Sequence, residues 1–266
     1  MLDVIDWNQP WYATVRPAFG RLDLQRHSLI EAFNVQARSM KLCNPTGLPL
    51  SFVPQSSLPD GIAYEEFIGA TGGVPTRDNL HDFFNTLVWL TFPRIKRQLN
   101  ALQAAQIALS GVGKSRGPAR DGATIFDENS ALLIVRDSAA GLVLVDALRE
   151  HDWGNAFIGQ RATFGRDAEL WLFGHALMEK LVTPYKAITA HTRVVLAGDE
   201  FFSLDFDARR AWIDGRVSQD LAEQGLTTVD FTPLQVLGIP GWWPGQDEAF
   251  YSDTGVFRPK RKTADK

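Results

Sequence analysis

The feature that most constrains this 266-residue chain is a long apolar stripe with the period of an α-helix. At about 100° of rotation per residue, apolar residues from Val88 to Leu99 recur within about 40° of one line along the helix axis. The spacing predicts a helix that begins after Thr76 or Asp78 as the cap and runs to about residue 108. Pro93 should kink it, because the proline ring clashes with the preceding turn. Such a helix must bury its stripe against a large apolar partner.

The remaining periodicity predicts a mixed fold in which helices dominate. Residues 23–40, 167–181 and 207–223 show helical spacing, and residues 43–59 indicate an irregular loop. Apolar runs at 123–127 and 131–135 predict a β-hairpin over residues 122–137, and weaker strands are predicted near 162–164 and 192–197. The expected fold class is α+β: a helix-dominated single domain with a small antiparallel sheet flanked by helices.

Composition indicates a globular protein of the cytoplasm. Hydrophobic residues make up 45% of the chain and 29 residues are aromatic, which excludes a disordered or collagenous chain. No apolar run reaches the roughly 18 residues of a membrane span, so no membrane association is expected. The single cysteine, Cys43, excludes an intrachain disulfide and a cysteine-rich zinc site. We expect one globular domain over residues 1–257 and a basic, flexible tail over residues 258–266.

The charge is unevenly distributed along the chain. The formal net charge is −4, yet residues 83–120 contain no carboxylate. That stretch carries Arg94, Lys96, Arg97, Lys114, Arg116 and Arg120. The local excess of positive charge favours a small anionic ligand, and a solvated helix face and loop is the alternative interpretation. Nucleic acid is not an expected partner because the rest of the chain is acidic.

Four polar residues fall on apolar helix faces. His81 and Asn85 lie in the stripe of the long helix, and His175 and Glu179 lie four residues apart on one face of the segment 167–181. Polar groups in such positions need hydrogen-bond or ligand partners. We therefore predict that His81 and His175 lie close together in space.

This pattern leaves three interpretations open. A histidine with a carboxylate or amide four residues later can reach one divalent metal, whose shell would be completed by Asp82, Asp121, Asp127 or Glu128. The same groups would also suit metal-free acid/base chemistry or anion binding. In the third interpretation, they only satisfy one another and the neighbouring loops.

Several segments resemble a bacterial family that is classed as domain of unknown function 3025. The resembling residues are 75–85 with Trp89, Phe92, Pro93 and Lys96; 116–121 and 126–128; 173–180 with Pro184, Lys186 and His191; and 238–242 with Phe250, Tyr251, Asp253 and residues 256–259. Ser130 departs from the family pattern, which often has glycine in the predicted turn. The resemblance implies one full-length domain in a bacterial cytosol, and it implies no activity, cofactor or catalytic residue.

The leading hypothesis is a hydrolase, with or without a metal, that acts on a phosphate-containing or other anionic small substrate. Candidate catalytic residues are His81, Asp82, Asn85, Asp121, His175, Glu179 and His191, of which His81, Asp82, His175 and Glu179 are also the candidate metal ligands. Candidate substrate-binding residues are Arg77, Lys96, Arg116, Arg120 and Lys186. The alternative is a non-catalytic binding protein that uses the basic stretch and Trp242–Trp243, with purely structural buried polar groups. The oligomeric state stays open.

Overall fold

The computed structural model describes residues 1–110 and 118–260. Its helices are α1 (Arg16–Gly20), α2 (Leu29–Ser39), α3 (Tyr64–Thr71), α4 (Leu80–Thr91), α5 (Pro93–Ser110), α6 (Pro118–Asn129), α7 (Ala139–Arg149), α8 (His175–Lys180), α9 (Asp199–Ser203), α10 (Phe206–Gln224) and α11 (Glu248–Tyr251). Its strands are β1 (Ser51–Pro54), β2 (Gly73–Thr76), β3 (Ser130–Arg136), β4 (Ala168–Leu172), β5 (Thr189–Ala197) and β6 (Thr232–Gln235). With 53% helix and 15% strand, the fold class is α+β and helix-dominated, as predicted.

The larger sheet has four strands in the order β4-β3-β5-β6. The central strand β3 pairs antiparallel with β4 and parallel with β5, and β5 pairs antiparallel with β6. Because successive side chains of a strand point to opposite faces, β3 supplies both apolar clusters of the protein. Leu132 and Ile134 belong to the cluster that includes α4, whereas Leu133 and Val135 belong to the cluster that includes α7. The sheet is therefore covered on both faces, and β1 and β2 form a separate parallel pair.

The predicted hairpin over residues 122–137 is wrong in its first half. Residues 123–127 lie in α6, and only β3 from Ser130 onward is extended. Gly122, Ala123 and Phe126 are buried, which is a helical spacing. The isoleucine and phenylalanine of that run favoured a strand by composition, but their burial follows the helical period.

Other boundaries also differ from the predictions. The segment 167–181 divides into β4 and α8, and the strand predicted near 162–164 is a short helical turn over Arg161–Thr163. The helix predicted at 23–40 begins only at Leu29, where Ser28 and Glu31 form a capping box. The loop at 43–59 contains β1. The predictions at 192–197 and 207–223 are confirmed by β5 and α10.

The long helix is broken into α4 and α5 instead of being kinked. Asn79 caps α4 through its side chain, which accepts from the Asp82 amide at 2.8 Å, so neither Thr76 nor Asp78 is the cap. Phe92 leaves the helical region at φ −125° and ψ 61°, as expected for a residue that precedes proline. The first amides of α5, Arg94 and Ile95, donate to the carboxylate of Asp214 in α10 at 3.0 Å each.

The break brings together residues that one straight helix would separate. Asn85 and Lys96 are eleven residues apart, which corresponds to about 16 Å along a continuous helix axis. In the structure the Lys96 ammonium donates to the Asn85 side-chain oxygen at 2.8 Å. The change of direction at Phe92 therefore creates part of the site described below.

The end of the described chain contacts the segment that follows α7. Trp153 donates its indole N–H to the carbonyl of Arg258 at 2.7 Å, and Lys260 pairs with Glu150 at 2.7 Å. The rest of the predicted tail lies outside the described residues. In the part of the chain that the structure describes, no helix combines the length and the apolar character needed to cross a membrane.

Candidate metal centre

A cavity of about 490 Å³ opens between α3, α4, α5, α6 and α8. This volume is in the range of small-molecule sites. Its wall is rich in charged and polar side chains, and it includes most of the polar residues that the sequence places on apolar helix faces. One end of the cavity is formed by His81, Glu128 and His175.

The two histidines face each other through the same ring nitrogen. His81 Nε2 and His175 Nε2 are 3.0 Å apart, which confirms the predicted proximity of these residues. Glu128 Oε2 lies 3.4 Å from His175 Nε2 and 3.8 Å from His81 Nε2. Three donor atoms of the kinds that bind divalent transition metals therefore point at one small volume.

A glycine places His175 beside Glu128. Gly174 immediately precedes α8, and its amide donates to the Ser130 carbonyl at 2.8 Å. A Cβ atom at Gly174 would lie 2.4 Å from the Ser130 nitrogen and 2.6 Å from the Glu128 carbonyl oxygen. Only a residue without a side chain fits this close approach, so the entry to α8 is held directly against the junction of α6 and β3.

A carboxylate orients the imidazole of His81 through its Nδ1 atom, the ring nitrogen that faces away from His175. Glu179 Oε2 lies 3.0 Å from His81 Nδ1, which favours a proton on Nδ1 and leaves the Nε2 lone pair free. His175 Nδ1 is buried and has no hydrogen-bond partner among the described residues. When the proton of His175 is also on Nδ1, both Nε2 lone pairs face the same point, where two lone pairs at 3.0 Å repel each other unless a cation lies between them.

The distances fit a metal ion. A triangle with sides of 3.0, 3.4 and 3.8 Å has a point about 2.0 Å from all three corners, and zinc binds nitrogen and carboxylate oxygen at about 2.0–2.2 Å. Glu128, Glu179 and Asp127 carry three negative charges against one positive charge on Lys96, so with neutral histidines the cluster has a formal charge of −2. A divalent cation neutralises it.

The electrostatic environment keeps the ligands in suitable states. Burial lowers the pKa of His175 to about 3 against the opposing charge of Asp127, so the ring is neutral at pH 7. Burial raises the pKa of Glu128, and the charges of Asp127 and Glu179 raise it further, although His81 and Lys96 oppose the shift. The raised pKa of Glu128 follows first from its burial, and a cation bound beside the carboxylate would lower it.

A second set of polar side chains, bonded around Lys96, lines the cavity next to the two histidines and Glu128. Lys96 donates to Asp127 Oδ1 at 2.6 Å and to Asn85 Oδ1 at 2.8 Å, and Asn85 in turn donates to the Tyr64 hydroxyl at 3.0 Å. Burial raises the pKa of Asp127, but the charge of Lys96 and its hydrogen bond to the carboxylate oppose this effect, and the pKa is lowered overall. The Asp127 side chain is therefore an anion that holds a buried ammonium ion.

Asp82 does not face the histidines. Its carboxylate accepts two bonds from the Arg77 guanidinium, at 2.9 and 3.0 Å, and one from the Arg77 amide at 2.6 Å. The contact fixes Arg77 at the cavity wall with its side chain about half exposed. The carboxylate ligand that the sequence assigns to Asp82 is therefore Glu128 in the structure. Glu179 contacts the Nδ1 atom of His81, on the side of the ring away from the other two donor atoms.

The other predicted site residues lie elsewhere. His191, on β5, contacts the Phe231 ring, and Lys186 pairs with Asp253 at 2.8 Å. Asp121 is exposed. None of these three lines the cavity. The predictions for Arg116 and the Arg120 side chain fall outside the described residues.

A family model described as "Protein of unknown function (DUF3025)" matches residues 50–261. The chain belongs to this family. No curated protein and no solved structure matches the chain. The matched segment of this DUF3025 protein includes the three candidate metal ligands, His81, Glu128 and His175. It also includes Lys96 and the residues bonded around it, which are Asp127, Asn85 and Tyr64.

Sequence reasoning undervalued two acidic residues and missed Tyr64. The sequence offers Asp127 and Glu128 as possible ligands of a metal, but they also adjoin the turn of the predicted hairpin, where acidic residues are common. Reading 118–129 as a helix, from the spacing of Gly122, Ala123 and Phe126, would have placed both carboxylates at its end beside a buried strand. Tyr64 has no distinguishing signal, because its role depends on the packing of α3 against α5.

Proposed function

We propose that this DUF3025 protein is a metal-dependent hydrolase that acts on a phosphate-containing or other small anionic substrate. The observation that supports it is the convergence of His81 Nε2, His175 Nε2 and Glu128 Oε2 on one point at the wall of the 490 Å³ cavity. The single cysteine and the family resemblance support a bacterial cytoplasmic location.

The donor set suits hydrolysis. Two histidines and one glutamate are three protein ligands, and catalytic zinc sites with this set keep one coordination position for water or substrate. A divalent metal supplies Lewis acidity and lowers the pKa of bound water. Glu179 orients His81 through its Nδ1 atom, and such supporting carboxylates increase the basicity of a histidine ligand.

The cavity also has cations for an anionic substrate. Lys96 lies in its wall, and Arg77 is held at its wall by Asp82 with half of its side chain exposed to solvent. A fixed guanidinium suits recognition of an oxyanion, because Asp82 already holds it in one orientation.

The alternative of a non-catalytic binding protein has weaker support. Of the predicted basic stretch, Arg94 and Arg97 are exposed, but Lys96 points into the cavity. Trp242 and Trp243 are half-buried against both apolar clusters. The described part of the basic stretch therefore does not form the continuous basic and aromatic surface that this alternative requires.

Metal analysis of untagged protein together with a substrate panel tests the proposal. We expect one divalent metal per chain and hydrolysis of at least one phosphate or carboxylate ester. Both should be lost in His175→Ala and retained in the control His27→Ala, which alters a half-exposed histidine outside the cavity. Protein that binds no zinc, cobalt or manganese, or that binds iron and hydrolyses nothing, would contradict the proposal.

A further inference from the structure

The buried ammonium of Lys96 is the unusual group of the cavity. Only 3% of the residue is exposed, and its Nζ lies 2.6 Å from Asp127 Oδ1, 2.8 Å from Asn85 Oδ1 and 5.4 Å from the centre of the Trp89 ring. Removing an ammonium ion from water is strongly unfavourable, and one ion pair often fails to offset this penalty. An ammonium retained here calls for a role beyond stability.

The Lys96 ammonium can donate one further hydrogen bond. It carries three N–H groups, and two of them donate to Asp127 and Asn85. Among residues 1–110 and 118–260, no acceptor takes the third. Because Lys96 lines the cavity, a ligand there can accept this bond.

Lys96 and the metal cluster share one electrostatic environment. Asp127 and Glu128 are consecutive residues of α6: the first binds the ammonium, and the second belongs to the cluster with the two histidines. The positive charge of Lys96 acts on both Glu128 and His175. The two cation positions are thus neighbours that are separated by adjacent carboxylates.

This arrangement parallels sites in which two metal ions act on one phosphoryl group. In such sites two cations about 3.5–4 Å apart hold different oxygens of the substrate. Here a metal bound by Glu128 and the ammonium of Lys96 offer two cationic contacts to a tetrahedral anion. A neutral ester has no charge for the second contact.

We propose that Lys96 is the fixed second cation of the site, and that the substrate is a phosphate monoester whose phosphoryl oxygens contact both the metal and the Lys96 ammonium. The inference rests on the proposed metal-dependent function and specifies its substrate class. Asn85 and Asp127 are positioning residues that hold the ammonium, and Arg77 can contact the outer part of the same substrate.

Phosphate binding to the cobalt-loaded protein tests this proposal. Cobalt(II) is titrated first and its visible absorption gives the stoichiometry; inorganic phosphate or acetate is then titrated while the same spectrum is followed. We expect phosphate to bind at least ten-fold more weakly to Lys96→Met with unchanged cobalt stoichiometry. The double variant Lys96→Met/Asp127→Asn removes both buried charges, and decides the test if the single variant is unfolded.

A partly exposed lysine–aspartate pair elsewhere in the protein provides the control. Lys186 pairs with Asp253 at 2.8 Å, lies over the Phe250 ring and is outside the cavity. Lys186→Met and Lys186→Met/Asp253→Asn should bind phosphate as the parent protein does.

The outcomes separate the two proposals. If the parent protein binds no cobalt, the proposed function fails and this inference fails with it. If cobalt binds, but phosphate binds equally well to the parent and to both Lys96 variants, only the role of Lys96 is overturned. If acetate binds as tightly as phosphate with the same dependence on Lys96, the assignment to a phosphoryl substrate is overturned.

Discussion

Replacing Glu128 by glutamine should change the stability of the protein in opposite directions with and without metal. In the metal-free protein, Glu128 shares a cluster of formal charge −2 with Asp127 and Glu179, and its pKa is raised by burial and by these charges. Glutamine removes one of the repelling charges. Because a third of the Glu128 side chain is exposed, the gain in unfolding free energy is small, roughly 0.5–1 kcal/mol.

In the presence of metal, the parent protein should instead be more stable than Glu128→Gln. A ligand at 100 times its dissociation constant stabilises the native state by about 2.7 kcal/mol. For a chain of this length that corresponds to a rise in melting temperature of about 5 °C. Glutamine is a poor substitute for the carboxylate ligand, so the variant should lose most of this gain. It should be more stable than the parent in chelator and about 2 kcal/mol less stable in excess zinc.

Urea unfolding followed by circular dichroism, in chelator and in excess zinc, measures both values. Glu150→Gln is the matched control, because Glu150 is exposed, pairs with Lys260 and lies outside the cavity. Equal destabilisation of Glu128→Gln in both conditions would falsify the metal assignment, since it would show that Glu128 is only a structural hydrogen-bond partner.

Three further predictions concern neighbouring features. Glu179→Gln should weaken metal affinity about 10- to 100-fold, because Glu179 orients His81; competition with a chromophoric chelator measures this, and unchanged affinity argues against that role. Gly174→Ala should lower the melting temperature and abolish metal binding, because its Cβ would lie 2.4 Å from the Ser130 nitrogen; a variant that binds metal normally contradicts the close approach. Burial raises the pKa of Asp214 from its usual 3.8 to about 6, although two backbone amides oppose the shift. The folded protein therefore holds this proton to a higher pH than the unfolded chain does, and the parent should lose about 2 kcal/mol of stability relative to Asp214→Asn as the pH rises from 4 to 6. Urea midpoints at the two pH values test this, and a constant difference refutes it.

The helices whose apolar spacing is long and regular could be predicted from the sequence, as α4, α5 and α10 show. Residues 123–127 could not, because a run of Thr, Ile and Phe suits a strand by propensity and a helix by burial. Whether residues 123–127 form a strand or a helix depends on the contacts of α6 with α5 and α8, and the local sequence does not encode these contacts. The division of 167–181 into β4 and α8 likewise depends on pairing with β3.

Part of the candidate site could also be predicted, because that part depends on a local sequence pattern. His81 and His175 interrupt apolar faces, and this local signal was enough to predict that they meet. The role of Lys96 was not, because in a continuous helix Asn85 would lie about 16 Å away along the axis. The break at Phe92 is visible as a proline in the sequence, but the direction in which α5 leaves α4 is set by tertiary contacts such as those of Asp214.

The i, i+4 spacing of His175 and Glu179 predicts that both side chains reach one metal, and the structure shows a different arrangement. Both were expected to reach one metal, as residues four apart on a helix lie on the same face. Instead they hold the imidazole of His81 between them: His175 Nε2 lies 3.0 Å from His81 Nε2, and Glu179 Oε2 lies 3.0 Å from His81 Nδ1. One turn of α8 thus contacts both nitrogens of the same ring. Because Nδ1 is occupied by Glu179, only Nε2 can donate to a metal, and the remaining carboxylate ligand must come from another element. Glu128 at the end of α6 is the residue that the fold supplies.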